Sequence, residues 1–597
     1  MREAGTNTGA REWLRHLDRH RVALTLLAWA LFAAWTLYDR SNAVRFLALG
    51  DTDDNMRFAQ VRAWLDGQGW FDLRQYKLAP PAGFDIHWSR VVDLPLAGLT
   101  LFFRLFTTHA WAERLAAGVA PLLPLAAVAL ALAATARRLI GANAWMLALA
   151  VLPGATATML MFMPMRVDHH GWQLACLAVT VAGLADPRQV RGGLSVGLSS
   201  ALSLAIGLEM LPYCAMAGAI IALRWVWDRA EAVRLQVYAL SLGGGGALGF
   251  ALFASQANRV LRCDAFTPVW LSVAVAAGAL LFVLARVSPA SRGARLGLAV
   301  AAGAVLAAGF AYAFPQCLGR PEQVSDELAR TWLNNVREAR PIYKHPFRVA
   351  FPIVTLPLIG LAGAVFATWR ARGTTRVVGW TAVALFTAFA CAMLLWQARA
   401  GPAAQLLAIP GVTALAWAVL PWFLGHRSMP VRVFGTVGAF LFVSGLFAGL
   451  VVKHLPVDRP SPAQQRVGRA GGRCNALPHL RALDRYPAQT VFTHVDLGPR
   501  LIATTHHRAI AGPYHRNGEA ILDVHHAFGR APDQARAIMK RREATLLLVC
   551  PNLAESTIYR ARDPGGFYDR LARGEKFGWL EQLPLPPRSP YRLYRIR

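Results

Sequence analysis

The 597-residue chain carries 63 Lys and Arg against 34 Asp and Glu, is 55% hydrophobic and only 16% charged, and has a mean hydropathy of +0.34. Soluble globular proteins average about 25% charged residues, so a soluble cytosolic enzyme is excluded. The net charge of +29 does not mark a nucleic-acid protein, because the basic residues sit in short loops beside apolar segments, where they orient membrane spans instead of forming one binding face.

The first apolar run, 22–38, follows a basic segment with Arg11, Arg15, Arg19 and Arg21, which predicts an uncleaved span with a cytoplasmic N-terminus. Short basic connections recur at Arg137/Arg138, Arg188/Arg191, 224–234, 286–295, 370–376 and Arg427/Arg432, all expected on that same side. A bilayer-crossing helix needs about 20 apolar residues. Keeping those loops inside gives spans near 22–38, 114–136, 142–163, 171–185, 193–208, 210–227, 235–254, 267–286, 295–314, 349–369, 377–396, 402–424 and 433–452, 13 helices in all. The tightest turn falls at Glu209. The apolar stretch 91–106 is expected to lie along the outer face as a juxtamembrane helix.

An odd number of spans puts everything beyond Val452 outside the cytoplasm. The expected architecture is an all-α polytopic membrane domain, 1–452, with long external loops at 39–93 and 315–348 and a C-terminal extracytoplasmic α/β domain, 453–597, in a bacterial inner membrane. In that tail, strand-like 490–493, 508–512 and 545–549 alternate with helical 497–504 and 533–543, without a Gly-rich phosphate loop. Cys176, Cys214 and Cys391 fall inside spans. Cys263, Cys317, Cys474 and Cys550 fall on the oxidising side, where the pairs Cys263–Cys317 and Cys474–Cys550 compete with free thiols as readings.

Gly50-Asp51-Thr52-Asp53-Asp54 opens the first external loop with clustered carboxylates. They repel one another unless a cation or solvent screens them, which suits a metal site; an acidic turn capping the helix 55–65 is the other reading. At the outer end of the third span, Arg166-Val167-Asp168-His169-His170 supplies oxygen and imidazole ligands suited to Mn²⁺ or Mg²⁺, or else a capping Asp with two interfacial histidines. Glu338, in Val336-Arg337-Glu338-Ala339-Arg340-Pro341, and Arg399 are expected on the same face. Singly, Glu338 reads as a surface salt bridge and Arg399 as a snorkelling side chain. Jointly, a cation held by carboxylates beside a guanidinium neutralises the charge that develops on a departing phosphate.

Together these segments resemble the catalytic subunits of oligosaccharyltransferases, membrane glycosyltransferases of the GT-C class found as single chains in archaea and some bacteria. Asp51 with Arg57 six positions on is similar to the first-loop pattern, and 79–83, His87-Trp88 and Asp93-Leu94-Pro95 resemble its continuation. Arg166 to His170 is similar to the second acidic motif in its archaeal form, Val336 to Pro341 looks like the flexible-loop motif ending in Glu, and Arg399 sits where the family places an Arg that binds donor phosphate. The likeness spans roughly 20–452. It implies an inverting, metal-dependent (Mn²⁺ or Mg²⁺) transfer of a sugar or oligosaccharide from a polyprenyl-(pyro)phosphate donor to an extracytoplasmic acceptor. Carried over, Asp51, Asp168, His170 and Glu338 hold the metal or orient the acceptor, with Asp53 the alternative ligand because the register of the acidic run is open by two. Asp51 and Glu338 polarise the acceptor nucleophile.

The tail departs from that family, since the WWDYG motif that reads the glycosylation sequon is absent beyond Val452. It carries His494, His506/His507, His515 and His525/His526, read as solvated or hydrogen-bonded histidines or as a second metal site. Tyr514, His515 and Arg516, within Gly512-Pro513-Tyr514-His515-Arg516-Asn517, are the candidate acceptor contacts. The rival reading is a transporter or flippase of lipid-linked sugars, which predicts ionisable residues at mid-membrane and related halves. Glu209 and Arg104 are the only ready candidates for the first requirement and both fall near an interface in this topology, and no internal repeat meets the second.

Overall fold

The computed structural model describes residues 5–456 and 460–597. Residues 1–4, at the start of the basic N-terminal segment, and 457–459, at the entry to the tail, lie outside them. Among the described residues, nine helices are long and apolar enough to cross a membrane: Arg21–Asp39, His109–Leu139, Leu208–Trp227, Arg229–Phe253, Pro268–Val287, Arg292–Ala313, Phe347–Arg370, Val377–Trp396 and Ala398–Leu424. The chain is a multi-pass membrane protein.

The other four expected spans also coincide with helices, but irregular ones. Val431–Val443 and Leu446–His454 form one candidate span bent by 91°, with Gly445 in the left-handed region (φ +74°) at the bend. Ala144–Gly154 and His170–Leu184 are apolar but shorter, and Gln189–Ile206 is Gly- and Ser-rich. Broken backbone inside a membrane is tolerated where neighbouring helices satisfy it. Here the Ala157 N–H reaches Oε1 of Gln405 at 2.8 Å and Thr158 Oγ1 donates to the Pro402 carbonyl at 2.7 Å. Gln405 is itself buried in the helix Gly401–Leu424. That helix packs closely on Phe347–Arg370, since a Cβ on Gly411 would stand 1.9 Å from the Gly360 carbonyl oxygen. Only glycine permits this approach, and small-residue contacts of this kind are how helices associate in lipid.

The stretch 91–106 forms the helix Asp93–Arg104, which buries Asp93, Leu96, Ala97 and Thr100 and exposes Leu101 and Phe102. Before it, the first loop carries a small antiparallel hairpin, β1 (Arg74–Gln75) and β2 (Phe84–Asp85). The tail holds β3 (Thr490–Phe492), β4 (Arg508–Ala509), β5 (Leu546–Val549), β6 (Leu580–Leu583) and β7 (Arg592–Ile596), in the order β4-β3-β5-β7-β6. β3 is parallel to both β4 and β5, while β7 runs antiparallel to β5 and β6. β6 and β7 fall outside the sequence-based expectation, because neither alternates: the buried Leu593 and Tyr594 of β7 are adjacent, and β6 places Glu581 and Gln582 between its two leucines.

The first loop and the tail share one hydrophobic core. Met56, Leu78 and Trp88 from the loop pack with Leu501, Ala509 and Leu546 of the tail. The edge strand β4 is extended by the loop, with the Ala509 N–H donating to the Lys77 carbonyl and the Ala79 N–H donating back to the Ala509 carbonyl, both at 2.9 Å. The structure joins Cys263 to Cys317 and Cys474 to Cys550, with Cα–Cα distances of 5.4 and 6.4 Å. Cys176, Cys214 and Cys391 are free.

Candidate active site

Asp51 is the N-cap of the helix Thr52–Leu65. Its Oδ1 accepts the N–H groups of Asp53 (2.9 Å) and Asp54 (3.2 Å), and Asp54 Oδ2 accepts the Asp51 N–H in return at 3.0 Å. This is a capping box, in which N-cap and N3 side chains satisfy each other's amides. The capping and clustering readings of the acidic run are thus both realised, by different atoms of the same residues.

The second motif docks on that box. Asp54 Oδ1 accepts the backbone N–H of Asp168 at 3.0 Å, and Asp168 Oδ1 accepts that of His170 at 3.0 Å. One carboxylate oxygen each from Asp51, Asp54 and Asp168 then lies within 4.8 Å of the others. The guanidinium of Arg166 reaches all three: Nη1 pairs with Asp51 and with Asp54 (3.3 Å), and Nη2 with Asp168 at 2.7 Å. His170 Nδ1 stands 3.2 Å from Asp168 Oδ2.

Electrostatics follow from this crowding. Burial, then the neighbouring charges of Asp51 and Asp168, lift the Asp54 carboxyl well above the usual range. The same causes push Asp53 up to about 8. Burial also opposes charge on Asp168, but His170 and Arg166 hold its carboxyl below the ordinary value. Asp168 therefore keeps its charge, while Asp53 and Asp54 each resist ionising beside it.

The carboxylate grouped with Asp51 and Asp168 is Asp54, while Asp53 sits at the edge of the cluster, half-buried. Sequence reasoning missed Asp54 as a site residue, although the N-cap to N3 spacing from Asp51 carries the signal. Glu338 is exposed on the turn Arg337–Ala339 and within electrostatic reach of Asp53. That turn packs against Ala398–Ala400, which carries the exposed Arg399, and the Ala398 N–H donates to the Arg340 carbonyl at 2.8 Å. The structure thus makes two pairings, Asp51/Asp54 with Asp168 and the Glu338 turn with the Arg399 turn.

The tail closes over the first pairing. Buried Tyr514 donates its hydroxyl to the Thr52 carbonyl at 2.9 Å and stacks on Phe84. His515 and Arg516 are committed to Asp264: His515 Nε2 is 2.6 Å from Asp264 Oδ2, and Arg516 binds both oxygens at 2.6 and 2.7 Å. Arg500 donates to the Leu47 carbonyl and to Asn55 Oδ1, at 2.7 and 3.1 Å. Glu209, read from sequence as a tight turn and as an ionisable residue of the transporter reading, joins the second motif: its carboxylate is 3.0 Å from His169 Nε2 and accepts from Gln173 at 2.8 Å, and the His169 ring stacks on His170. Beneath lies a buried triad in which Arg57 and Arg90 share Asp93, at 2.7 and 3.0 Å, with the Arg57 guanidinium 4.5 Å over Trp88.

No family model and no curated protein matches the chain. Solved structures do match. Archaeal oligosaccharyltransferase AglB from Archaeoglobus fulgidus, in complex with an inhibitory peptide and a dolichol-phosphate, superposes with a TM-score of 0.64 at 13% identity, over 96% of this chain and 74% of that one. The chain has the oligosaccharyltransferase GT-C fold. The Archaeoglobus enzyme in its apo form gives a TM-score of 0.62 at 14% identity, covering 94% and 73% of the two chains. Its complex with Zn and sulfate gives 0.60 at 14%, covering 93% and 71%. At this identity the likeness extends to the path of the backbone.

Proposed function

We propose that the chain is a membrane glycosyltransferase that moves a sugar or oligosaccharide from a polyprenyl-(pyro)phosphate donor to an extracytoplasmic acceptor, with inversion. The observation that carries this reading is the convergence of Asp51, Asp54 and Asp168, from two separate loops, around one positive group at the tail-bearing ends of the membrane helices. The fold supports it, as do the dolichol-phosphate and the peptide bound by the Archaeoglobus enzyme.

The donor set fits a divalent cation, Mn²⁺ or Mg²⁺: carboxylate oxygens of buried Asp54 and Asp168 and of exposed Asp51, an imidazole at the margin, and a guanidinium that already marks where positive charge is held. Asp51 and Asp168 would hold it, with His170 and Asp53 beside them. Such an ion supplies electrostatic stabilisation of a leaving phosphate. Asp54 keeps the two acidic loops in register through its amide hydrogen bonds. Asp53 and Glu338 polarise and orient the acceptor nucleophile. Arg399 faces the donor phosphate, and the approach of the Glu338 and Arg399 turns brings the two substrates together. The lipid donor and acceptor are the partners, and the membrane is a bacterial inner membrane with the tail periplasmic.

The test is transfer from a lipid-linked donor by the reconstituted full-length protein, with Mn²⁺ or with EDTA. Asp51→Ala, Asp168→Ala and Glu338→Ala should each abolish transfer while the protein stays folded, and full activity in all three rejects the site. Glycan and glycolipid profiles of cells with and without the gene identify the sugar and the acceptor.

A further inference from the structure

The turn Ala482–Arg485 lies against the segment that leads into β4. There, one ligand-capable atom from each of Asp484, His506 and His507 lies within 4.8 Å of the others. The two imidazoles are held in the same way. Nε2 of His506 is 2.8 Å from the Tyr486 carbonyl, and Nε2 of His507 is 3.0 Å from the Leu483 carbonyl. A carbonyl only accepts, so each Nε2 carries a proton, and the lone pair of the neutral ring falls on Nδ1. Nδ1 of His506 stands 3.6 Å from Asp484 Oδ1, beyond hydrogen-bond distance. Nδ1 of His507 meets the Gln489 N–H at a long 3.3 Å.

A backbone carbonyl fixing tautomer and ring plane is how a ligating histidine is prepared; the opposite nitrogen of His506 is left for a cation, and that of His507 becomes available by giving up the long Gln489 bond. His507 is buried, whereas Asp484 and His506 are 35% and 43% exposed, which gives an ion a route in and room to keep water. Asp484 also accepts the backbone N–H of His506 at 3.2 Å, so the carboxylate is aimed by the same short segment.

We propose that Asp484, His506 and His507 form a second divalent-cation site, taking a borderline transition ion such as Zn²⁺ on two imidazoles and one carboxylate. The ion clamps the turn Ala482–Arg485 to β4, the strand whose other side bonds the first loop at Lys77 and Ala79. The proposal is independent of the transfer reaction.

The test strips the purified full-length protein in detergent with a chelator and titrates it with Zn²⁺ by calorimetry, then with Co²⁺ by visible absorption. The wild type and Asp51→Asn should share one site of micromolar affinity or tighter. His506→Ala and Asp484→Asn, both at exposed positions, should weaken it at least about tenfold while keeping the metal-free melting temperature. Zn²⁺ should raise the melting temperature of the wild type but not of His506→Ala. Equal Zn²⁺ uptake by wild type and His506→Ala overturns the site, as does binding in the wild type only at millimolar Zn²⁺, which leaves a plain imidazolium–carboxylate pair.

Discussion

Asp54 and Asp168, 114 residues apart, are joined by one hydrogen bond, in which the Asp54 carboxylate accepts the Asp168 amide at 3.0 Å. The other Asp54 oxygen takes the Asp51 amide. One buried side chain thereby sets the spacing of the two acidic loops. Asp54→Ala orphans two amides at about 1–3 kcal/mol each where they stay dry, so we expect at least a hundredfold loss of transfer together with a lower melting temperature. Asp53→Ala removes no such bond and should leave the melting temperature within a degree or two of wild type. Equal melting losses in the two variants would refute the positioning role.

Arg166 pairs with Asp51, Asp54 and Asp168 at once. Arg166→Gln leaves those carboxylates to repel one another, and a divalent cation should then matter more to the fold. The melting temperature of the variant should fall below wild type in EDTA and recover more on addition of Mn²⁺. If Mn²⁺ shifts both proteins equally, the guanidinium is not balancing the cluster.

The grip of His515 and Arg516 on Asp264 is nearly dry, with Arg516 and Asp264 at 6% and 9% exposure. Breaking a buried pair from one side costs roughly 3–5 kcal/mol, because the remaining charge is stranded. Asp264→Ala should loosen the seat of Tyr514 against Thr52, and limited proteolysis should cut the tail faster than in wild type. Unchanged digestion rates argue against a latch.

Glu555 adds a pH signature in the tail. Burial and then the charge of Asp496 push its carboxyl up to about 8, although it accepts the Val495 and Asp496 amides and the Tyr559 hydroxyl. A carboxyl whose folded value exceeds its unfolded value stabilises the fold fully below the unfolded value, about 4.5, and loses that contribution as pH climbs through about 8. The melting temperature of wild type minus that of Glu555→Gln should therefore shrink between pH 6 and 9. A constant difference across that range removes Glu555 as the cause.

The membrane helices were legible because two independent signals agree, apolar length and basic loops. The loop rule also recovered helices that length alone misses, such as the short His170–Leu184 and the kinked 431–454. The acidic motifs were legible as clusters. What sequence did not disclose was which oxygen faces which amide, because Asp53 and Asp54 differ only in helical phase. Nor could it show that His515 and Arg516 spend their polar atoms on Asp264, a partner more than two hundred residues earlier. Contacts of that span depend on the closed fold, and no local periodicity encodes them.

The core that joins the first loop to the tail bears on how the chain is made. Arg500 is bonded to a carbonyl 453 residues before it. At ribosomal speeds of about 5–20 residues per second, the loop waits roughly 20–90 seconds before that partner exists. During that interval Leu78 and Trp88 lack the tail's share of their cover, Leu501, Ala509 and Leu546, so a nascent chain stalled ahead of residue 500 should attract chaperones to the loop, and the two halves expressed from separate messages should rescue each other only when present together.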